Sequence, residues 1–258
     1  MTITKQEITK EISKLNNTKK FKSPSSKEIS KLIFEELTKK HDFKIKDRSY
    51  IINNFSKILY EYRNLDWQIL SRILEPKYQE MYRYFVQSEV KKKNINKSEL
   101  AEFLLNDIDL FHYKYQLDMS LSQSYKSRAG TSFEYILEYL FKLLNLEFVT
   151  QPKEVRGKPD FLFPNIKKYN DSPEDCLIVG AKTKVRERYR QIVSEGNSKV
   201  PHYCFTLGED LNESIINKGV KLGLIFVIPK KLKKEKFNKN NIYSFEEFLE
   251  GFLEKYKI

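Results

Sequence analysis

Three charged residues in the second half of the sequence stand at the ends of expected secondary-structure elements. Asp160 opens the apolar run DFLFP, Lys182 closes the run CLIVGAK, and Glu195 follows 13 residues later in a helical pattern. An acid that opens one strand and a lysine that ends its neighbour can lie at one edge of a sheet. Carboxylates hold Mg²⁺, the metal activates water, and a lysine helps to orient the nucleophile. These residue types therefore suit metal-dependent hydrolysis of a phosphodiester.

Each of the three residues also has a purely structural explanation. An aspartate after a proline is common in turns, and a lysine at the end of a strand commonly faces solvent. Glu195 could be one more charge on an exposed helix. The spacing alone leaves both interpretations open.

The elements around these residues indicate an α/β fold with a mixed sheet flanked by helices. From about residue 130 the segment TSFEYILEYLFKLL has its apolar residues at helical spacing. Short apolar runs typical of strands follow: LEFVTQ, DFLFP, CLIVGAK, HYCFTL and LGLIFVIP. Helices are expected between the strands around 184–195, 210–218 and 244–256.

The pattern of the first 120 residues predicts helices without strands. A helical bundle explains this pattern more simply than a helix-turn-helix motif does. The strongest break is expected at Pro76. In the last of three helical runs, SELAEFLLNDIDLF, four apolar residues fall on one face: Leu100, Phe103, Leu104 and Phe111. We therefore expect a helical region over 1–118 and an α/β core over 119–258.

The composition is strongly basic, with 47 Lys and Arg against 35 Asp and Glu and a net charge of +12. Such a charge favours a polyanionic partner, although a Lys- and Asn-rich composition can also reflect an AT-rich genome. Cys176 and Cys204 lie in apolar runs without metal-ligand spacing, so they are expected to be core thiols in a reducing compartment. Without an apolar leader or a membrane span, the protein is expected to be cytoplasmic.

The pattern of Asp160, Lys182 and Glu195 resembles the permuted active site of the PD-(D/E)XK nucleases. More narrowly, it resembles the SsoII, PspGI and EcoRII-catalytic-domain group of type II restriction endonucleases, in which the second acid lies on the helix after the strand. Two further segments are similar to this group, KTKVRERYRQ over 182–191 and SRAGTSFE over 127–134. The similarity is strongest over about 120–200.

This resemblance implies Mg²⁺-dependent cleavage of double-stranded DNA on a restriction-endonuclease-like fold. Asp160 and Glu195 would hold the metal, and Lys182 would be catalytic. Glu134 would be a further acid of the active site, although Thr131-Ser-Phe-Glu134 equally predicts a capping box at a helix start.

The resemblance also implies how DNA is read. An arginine can bond O6 and N7 of guanine and a glutamate can accept from the cytosine amine, so Arg186-Glu187-Arg188 would read a CC·GG half-site. The alternative is a charged, exposed helix start. Arg63 and Trp67 would form a pocket for a flipped central base. The simpler structural interpretation of this pair is a core tryptophan beside a surface arginine. Gln123 would contact the central pairs from the minor groove.

The implied target is CCNGG, with CCWGG or CCGG as alternatives, and a non-cleaving DNA-binding module of the same fold is a further alternative. A palindromic target implies a homodimer. The helical region 1–118 would then serve dimerisation and DNA contact. A companion DNA methyltransferase is expected in the same restriction-modification system, but not as a stable subunit.

Overall fold

The computed structural model describes residues 4–42, 44–185, 192–193, 199–239 and 241–256. The backbone divides into two compact units. The helical unit comprises Met1–Ile29 and Asp66–Arg128, and the sheet unit comprises Ser30–Leu65 and Ala129–Ile258. A segment of the N-terminal half thus groups with the sheet, whereas the sequence-based division runs at residue 118.

Helices make up the N-terminal half. They are α1 Lys5–Asn16, α2 Ser26–Lys40, α3 Arg48–Lys92, α4 Leu100–Asn106 and α5 Ile108–Leu143, with a 3₁₀ turn at Lys44–Lys46. α1 begins with a capping box, in which Thr4 Oγ1 accepts from the Glu7 N–H and the Glu7 carboxylate accepts from the Thr4 N–H. The described residues before Val149 contain no strand, as the sequence predicts.

The core of the helical unit joins α1, α3 and α5. Its buried side chains include Ile8, Ile12, Tyr78, Met81, Phe85, Tyr113 and Leu117. The rings of Phe85 and Tyr113 stack with their centroids 3.6 Å apart. Burial of a large apolar side chain stabilises a fold by about 1.5–3 kcal/mol. Packing of these faces, rather than helix propensity alone, therefore stabilises the unit.

Helix α3 continues through Pro76, so the predicted break there is wrong. A proline inside a helix removes one backbone hydrogen bond, here to the carbonyl of Arg72. Leu74 and Tyr78, which flank the proline, are both buried in the core, and this packing keeps the helix continuous. The non-helical backbone within α3 lies instead at Asn54, with φ −121° and ψ 16°.

The third apolar run does not form one helix with one buried face. α4 ends at Asn106, and Asp107 begins the next helix by accepting hydrogen bonds from the backbone N–H groups of Asp109 and Leu110. This break changes the helical phase, so the predicted common face is wrong. Phe103 is buried, whereas three others are exposed, namely Leu100 at 37%, Leu104 at 43% and Phe111 at 68%.

Helix α5 runs unbroken from Ile108 to Leu143. Thr131 and Glu134 therefore lie inside the helix, and the predicted capping box at a helix start is wrong. The interior position leaves the Glu134 carboxylate available for tertiary contacts, because the backbone amides nearby already bond within the helix.

The sheet unit contains a six-stranded mixed sheet, which confirms the expected α/β class. Its strands are β1 Val149–Thr150, β2 Phe161–Phe163, β3 Leu177–Ala181, β4 His202–Phe205, β5 Leu224–Ile228 and β6 Ile242–Ser244, in that spatial order. β1, β2 and β3 pair antiparallel, and β3 to β6 pair parallel. The edge strand β6 is absent from the sequence prediction, because its run of three residues is too short to give a pattern.

Four helices accompany the sheet among the described residues after β1. They are α6 Ile166–Asp171, α7 Glu213–Lys221, α8 Lys230–Lys236 and α9 Phe245–Tyr256, with a 3₁₀ turn at Pro173–Asp175. The predictions of helices around 210–218 and 244–256 are confirmed. α6 and the lysine-rich α8 are missing from the prediction, since neither has an apolar period. Most of the helix expected around 184–195 lies outside the described residues.

Cys176 and Cys204 are both buried, which confirms the expectation of core thiols. Within the described part of the chain, every helix is too short or too polar to cross a membrane.

A buried carboxylate ties α3 to α9 within the sheet unit. Glu246 is 4% exposed and accepts hydrogen bonds from the backbone N–H and the hydroxyl of Ser56, each at 2.8 Å. Ser56 Oγ in turn accepts from the backbone N–H of Lys230 at the start of α8. One serine hydroxyl therefore satisfies both a buried anion and a buried amide.

Replacing Ser56 with alanine should lower the free energy of unfolding by about 1–3 kcal/mol, because the Glu246 carboxylate and the Lys230 amide each lose a partner. Urea denaturation followed by circular dichroism measures this change. Ser49→Ala, at an exposed position in the first turn of the same helix, is the matched control and should change little. Equal denaturation midpoints for the two variants would contradict the assigned role of Ser56.

Candidate active site

The register between β2 and β3 brings the predicted aspartate and lysine together. The two strands run antiparallel with Phe161 opposite Val179, so the start of β2 and the end of β3 lie at the same edge of the sheet. Asp160 precedes β2 and Lys182 follows β3. Asp160 Oδ2 lies 2.7 Å from Lys182 Nζ and accepts the backbone N–H of Ala181 at 2.6 Å.

Both partners of this ion pair are largely withdrawn from water, with 11% of the Asp160 side chain and 15% of the Lys182 side chain exposed. A hydrogen-bonded ion pair away from solvent is stronger than the same pair on a surface. The Lys182 backbone is also fixed, because its N–H donates to the carbonyl of Phe205 on β4. The pair is therefore held in place from both neighbouring strands.

A tight turn aims Asp160 at this edge. Gly157 and Lys158 both have left-handed backbone, with φ of 82° and 52°. Glycine adopts this conformation at no steric cost, and the lysine beside it adopts it at some cost. Gln151, at the end of β1, donates its backbone N–H to the Asp160 carbonyl. The turn and this contact fix the backbone on either side of the carboxylate.

Glu134 reaches the same edge from helix α5. Its Oε2 accepts a hydrogen bond of 3.2 Å from Gln151 Nε2. Burial, followed by repulsion from the Asp160 carboxylate, raises the pKa of Glu134 to about 7, although Lys182 and Gln151 act in the opposite direction. The Asp160 carboxylate is thus close enough to disfavour the charged form of Glu134.

Gln151 is a contact residue of this site that sequence reasoning missed. It orients Glu134 through its side chain and Asp160 through its backbone. A glutamine after a two-residue strand carries no chemical signature in the sequence. The pairing of β1 with β2, which brings it opposite Asp160, is visible only in the fold.

The paired acids fit a hard divalent cation. Asp160 Oδ1 and Glu134 Oε1 accept no hydrogen bond from the described residues, so each can offer an oxygen. Carboxylate oxygens are the preferred ligands of Mg²⁺, and a cation would relieve the repulsion that raises the Glu134 pKa. No cluster of three or more His, Cys, Asp or Glu that could hold a metal occurs in the described part of the chain.

The expected third acid, Glu195, lies outside the described residues, and so do Arg186, Glu187 and Arg188. The last described residue before this segment is Val185. Val185, immediately before Arg186, is buried and donates its backbone N–H to Asp210 Oδ1 at 2.8 Å.

The residues expected to bind a central base of the DNA target are divided between the two units. Arg63, in the sheet unit, has its Nε 3.7 Å from Glu209. Trp67, in the helical unit, is 53% exposed, so the alternative of a core tryptophan is wrong. Its ring lies 4.7 Å from that of Tyr125 at an interplanar angle of 32°. Gln123 is exposed on α5.

The sequence matches the model of the EcoRII C-terminal family over residues 85–249, well over half of the chain. The type II restriction enzyme SsoII of Shigella sonnei is 26% identical over 221 residues, which cover 81% of this chain and 72% of that enzyme. The type II restriction enzyme EcoRII of Escherichia coli is 36% identical over 121 residues, covering 45% of this chain but only 30% of that longer protein.

Solved structures show the same fold. Metal-depleted Ecl18kI in complex with uncleaved DNA superposes with a TM-score of 0.78 at 22% identity, covering 99% of this chain and 86% of that one. The PspGI–substrate DNA complex superposes with a TM-score of 0.60 at 14% identity, covering 91% and 93%. The mixed sheet and its helices therefore form a restriction-endonuclease fold.

Replacing Glu134 with glutamine should stabilise the metal-free protein more at about pH 8 than at about pH 5. The folded-state pKa of about 7 exceeds the ordinary glutamate value of 4.5, so the folded protein binds this proton more tightly than the unfolded chain does. Stability contributed by this group is therefore present at low pH and is lost as pH rises towards 7. We expect a gain of roughly 1–3 kcal/mol at the higher pH.

Urea denaturation in the presence of EDTA at the two pH values measures this difference. Glu138→Gln, one turn further along α5 and paired with Lys142, is the matched control and should show no such gain. A pH-independent effect of Glu134→Gln would remove the proposed repulsion between the two carboxylates.

Proposed function

The chain belongs to the EcoRII C-terminal family of type II restriction endonucleases. From this membership we propose that the protein hydrolyses double-stranded DNA, with Mg²⁺ as cofactor, at a short palindromic site with CC and GG half-sites. The observation that carries this proposal is the Asp160–Lys182 pair, with Glu134 beside it at one sheet edge. These groups supply the charges that phosphodiester hydrolysis requires.

Asp160 and Glu195 would hold the cation, and Glu134 adds a second described carboxylate next to Asp160. When bound, Mg²⁺ supplies Lewis-acid stabilisation of the phosphate and makes a water more acidic. Asp160 Oδ2 accepts one hydrogen bond from the Lys182 ammonium and so fixes the orientation of that group. An ammonium has three donors, so the two that remain can hold the attacking water and a phosphate oxygen.

Sequence recognition is assigned to Arg186, Glu187 and Arg188, which have the donors and acceptors to read adjacent G·C pairs. Val185, the residue before this segment, is buried and lies three residues after Lys182. The residues proposed to read DNA are thus close in sequence to the lysine proposed to act in cleavage.

We assign the central base of a CCNGG target to Arg63 and Trp67, with Gln123 contacting the central pairs from the minor groove. The exposure of Trp67 supports this proposal, since an exposed indole face can stack on a base and a buried one cannot. CCWGG and CCGG are the alternative targets. The protein would act as a homodimer on its palindrome, beside a separate DNA methyltransferase that protects the host sites.

A DNA-binding module without cleavage is the second candidate function. The buried Asp160–Lys182 pair and the raised pKa of Glu134 argue against it. Such an arrangement costs stability, which binding alone gives no reason to retain.

Incubation with plasmid DNA and Mg²⁺, followed by mapping of the ends, tests the proposal. Discrete fragments with CC/GG-flanked termini are expected. A mobility shift without cutting would favour the binding module, and a smear would indicate a general nuclease.

Lys182→Ala should reduce cleavage by at least about 10²-fold, because the nucleophile and phosphate lose an oriented donor, while specific binding stays measurable. Single-turnover cleavage and a mobility-shift titration measure the two effects. Lys221→Ala, at the end of α7, is the control and should cut normally. Undiminished cutting by the Lys182 variant would remove this lysine from the mechanism.

Trp67→Ala should increase the fluorescence of 2-aminopurine placed at the central position of the target above that in the native complex, because the extruded base loses the stacking partner that quenches it. Loss of one base–aromatic stack should also weaken binding by about 1–3 kcal/mol. Tyr84→Ala, another exposed aromatic on α3, is the matched control. Fluorescence equal to that of the native complex would exclude Trp67 from the pocket.

A further inference from the structure

Residues 206–211, the β4 loop, lie at the edge of the sheet that holds the candidate active site. β3 and β4 run parallel and end together at this edge, where Lys182 donates its backbone N–H to the carbonyl of Phe205. The β4 loop follows directly and carries two adjacent carboxylates, those of Glu209 and Asp210. The proposed cation site uses neither of them.

The first contacts of the β4 loop are structural. Asp210 Oδ1 accepts the backbone N–H of Val185 at 2.8 Å. Thr206 is fully buried, and its hydroxyl accepts the backbone N–H of Gly208 at 3.1 Å. Gly208 has left-handed backbone with φ of 75°, and a Cβ atom there would collide with the side chain of Leu232 on α8. The backbone of the loop is therefore fixed on both sides of its other carboxylate.

The Glu209 carboxylate faces helix α3 within the sheet unit. Its Oε1 lies 3.7 Å from Nε of Arg63, a distance that indicates an ion pair rather than a hydrogen bond. Burial raises the pKa of Tyr60, one turn earlier on α3, and the negative charges of Glu209 and Glu235 raise it further. Both observations place the Glu209 charge against the part of α3 that carries Arg63.

The ion pair acts on the arginine more than on the stability of the fold. A partly exposed pair adds little to the free energy of unfolding, but a carboxylate beside an arginine restricts a side chain with many rotamers. A guanidinium pairs with carboxylates through its N–H edge and stacks on rings through its planar faces. One arginine can therefore be held by a carboxylate and stack on a base at the same time.

We propose that Glu209 is a positioning residue, which orders the Arg63 guanidinium for stacking on the flipped central base of the target. The inference rests on the proposed function, which assigns that base to Arg63. An arginine that is already ordered loses less entropy when the base binds. This gain is confined to DNA that has a base at the central position. Without such a role, a carboxylate at the DNA-facing edge would only repel phosphates.

Replacing Glu209 with glutamine tests the inference, because it removes the charge and keeps the size of the side chain. Fluorescence anisotropy in EDTA measures binding to a CCNGG duplex and to the same duplex without the central base of each strand. Relative to the native protein, the ratio of the affinity for the intact duplex to that for the abasic one should fall about 3- to 10-fold. The thermal melt should be unchanged, since the Glu209 side chain is 44% exposed.

Two controls show whether Glu209 acts through the arginine. Glu213→Gln removes an exposed ion pair with Lys239 at the start of α7 and should keep the native ratio of affinities. In a protein that already carries Arg63→Ala, Glu209→Gln should no longer change the ratio, because no guanidinium remains to be ordered.

The outcomes separate this inference from the proposed function. In a native protein that cuts CCNGG sites, an equal change on both duplexes, an unchanged affinity, or an effect that persists without Arg63 would overturn the inference alone. Glu209 would then act on the fold or on phosphates. A ratio that falls as expected, in a protein that never cuts DNA in Mg²⁺, would support the inference and refute the proposed cleavage.

Discussion

The ion pair between Asp160 and Lys182 is the contact on which the candidate site depends. It exists because β2 and β3 are antiparallel, so that the residue before one strand and the residue after the other share an edge. A shift of one residue in this register would turn either side chain to the opposite face of the sheet. The buried aromatic packing around Phe141, which contacts Phe161, Phe163 and Phe205, stabilises the strands in that register.

Without a cation, the negative charge of the Glu134 carboxylate is unfavourable at this edge of the sheet. The pKa of Glu134 is raised because its carboxylate is buried and faces Asp160, and one lysine does not offset both effects. Folded proteins rarely retain such an arrangement for stability alone, since an apolar replacement usually costs less. The raised pKa of Glu134 therefore supports the proposed cation site at this edge.

Much of the sheet could be predicted from sequence, because its strands are continuous apolar runs bounded by turn residues. The convergence of Asp160 and Lys182 follows from those runs once the register is known. What could not be predicted has a physical cause in each case. Packing carries α3 across Pro76, α5 extends far beyond the run that signalled it, and Gln151 enters the site only through strand pairing. Phe111 of α5 was expected on a buried face but is exposed, since the spacing of apolar residues alone does not show which of them face the core.

The central proposal is that the carboxylates of Asp160 and Glu134 lie at one divalent-cation site, with the Lys182 ammonium hydrogen-bonded to Asp160 beside it. A crystal structure of the protein soaked in Mn²⁺, with anomalous scattering recorded at the manganese edge, tests it most directly. We expect one strong anomalous peak in contact with an oxygen of Asp160, close to Glu134 and within reach of Lys182. A fully bound manganese elsewhere on the molecule, with this edge of the sheet empty, would contradict the account.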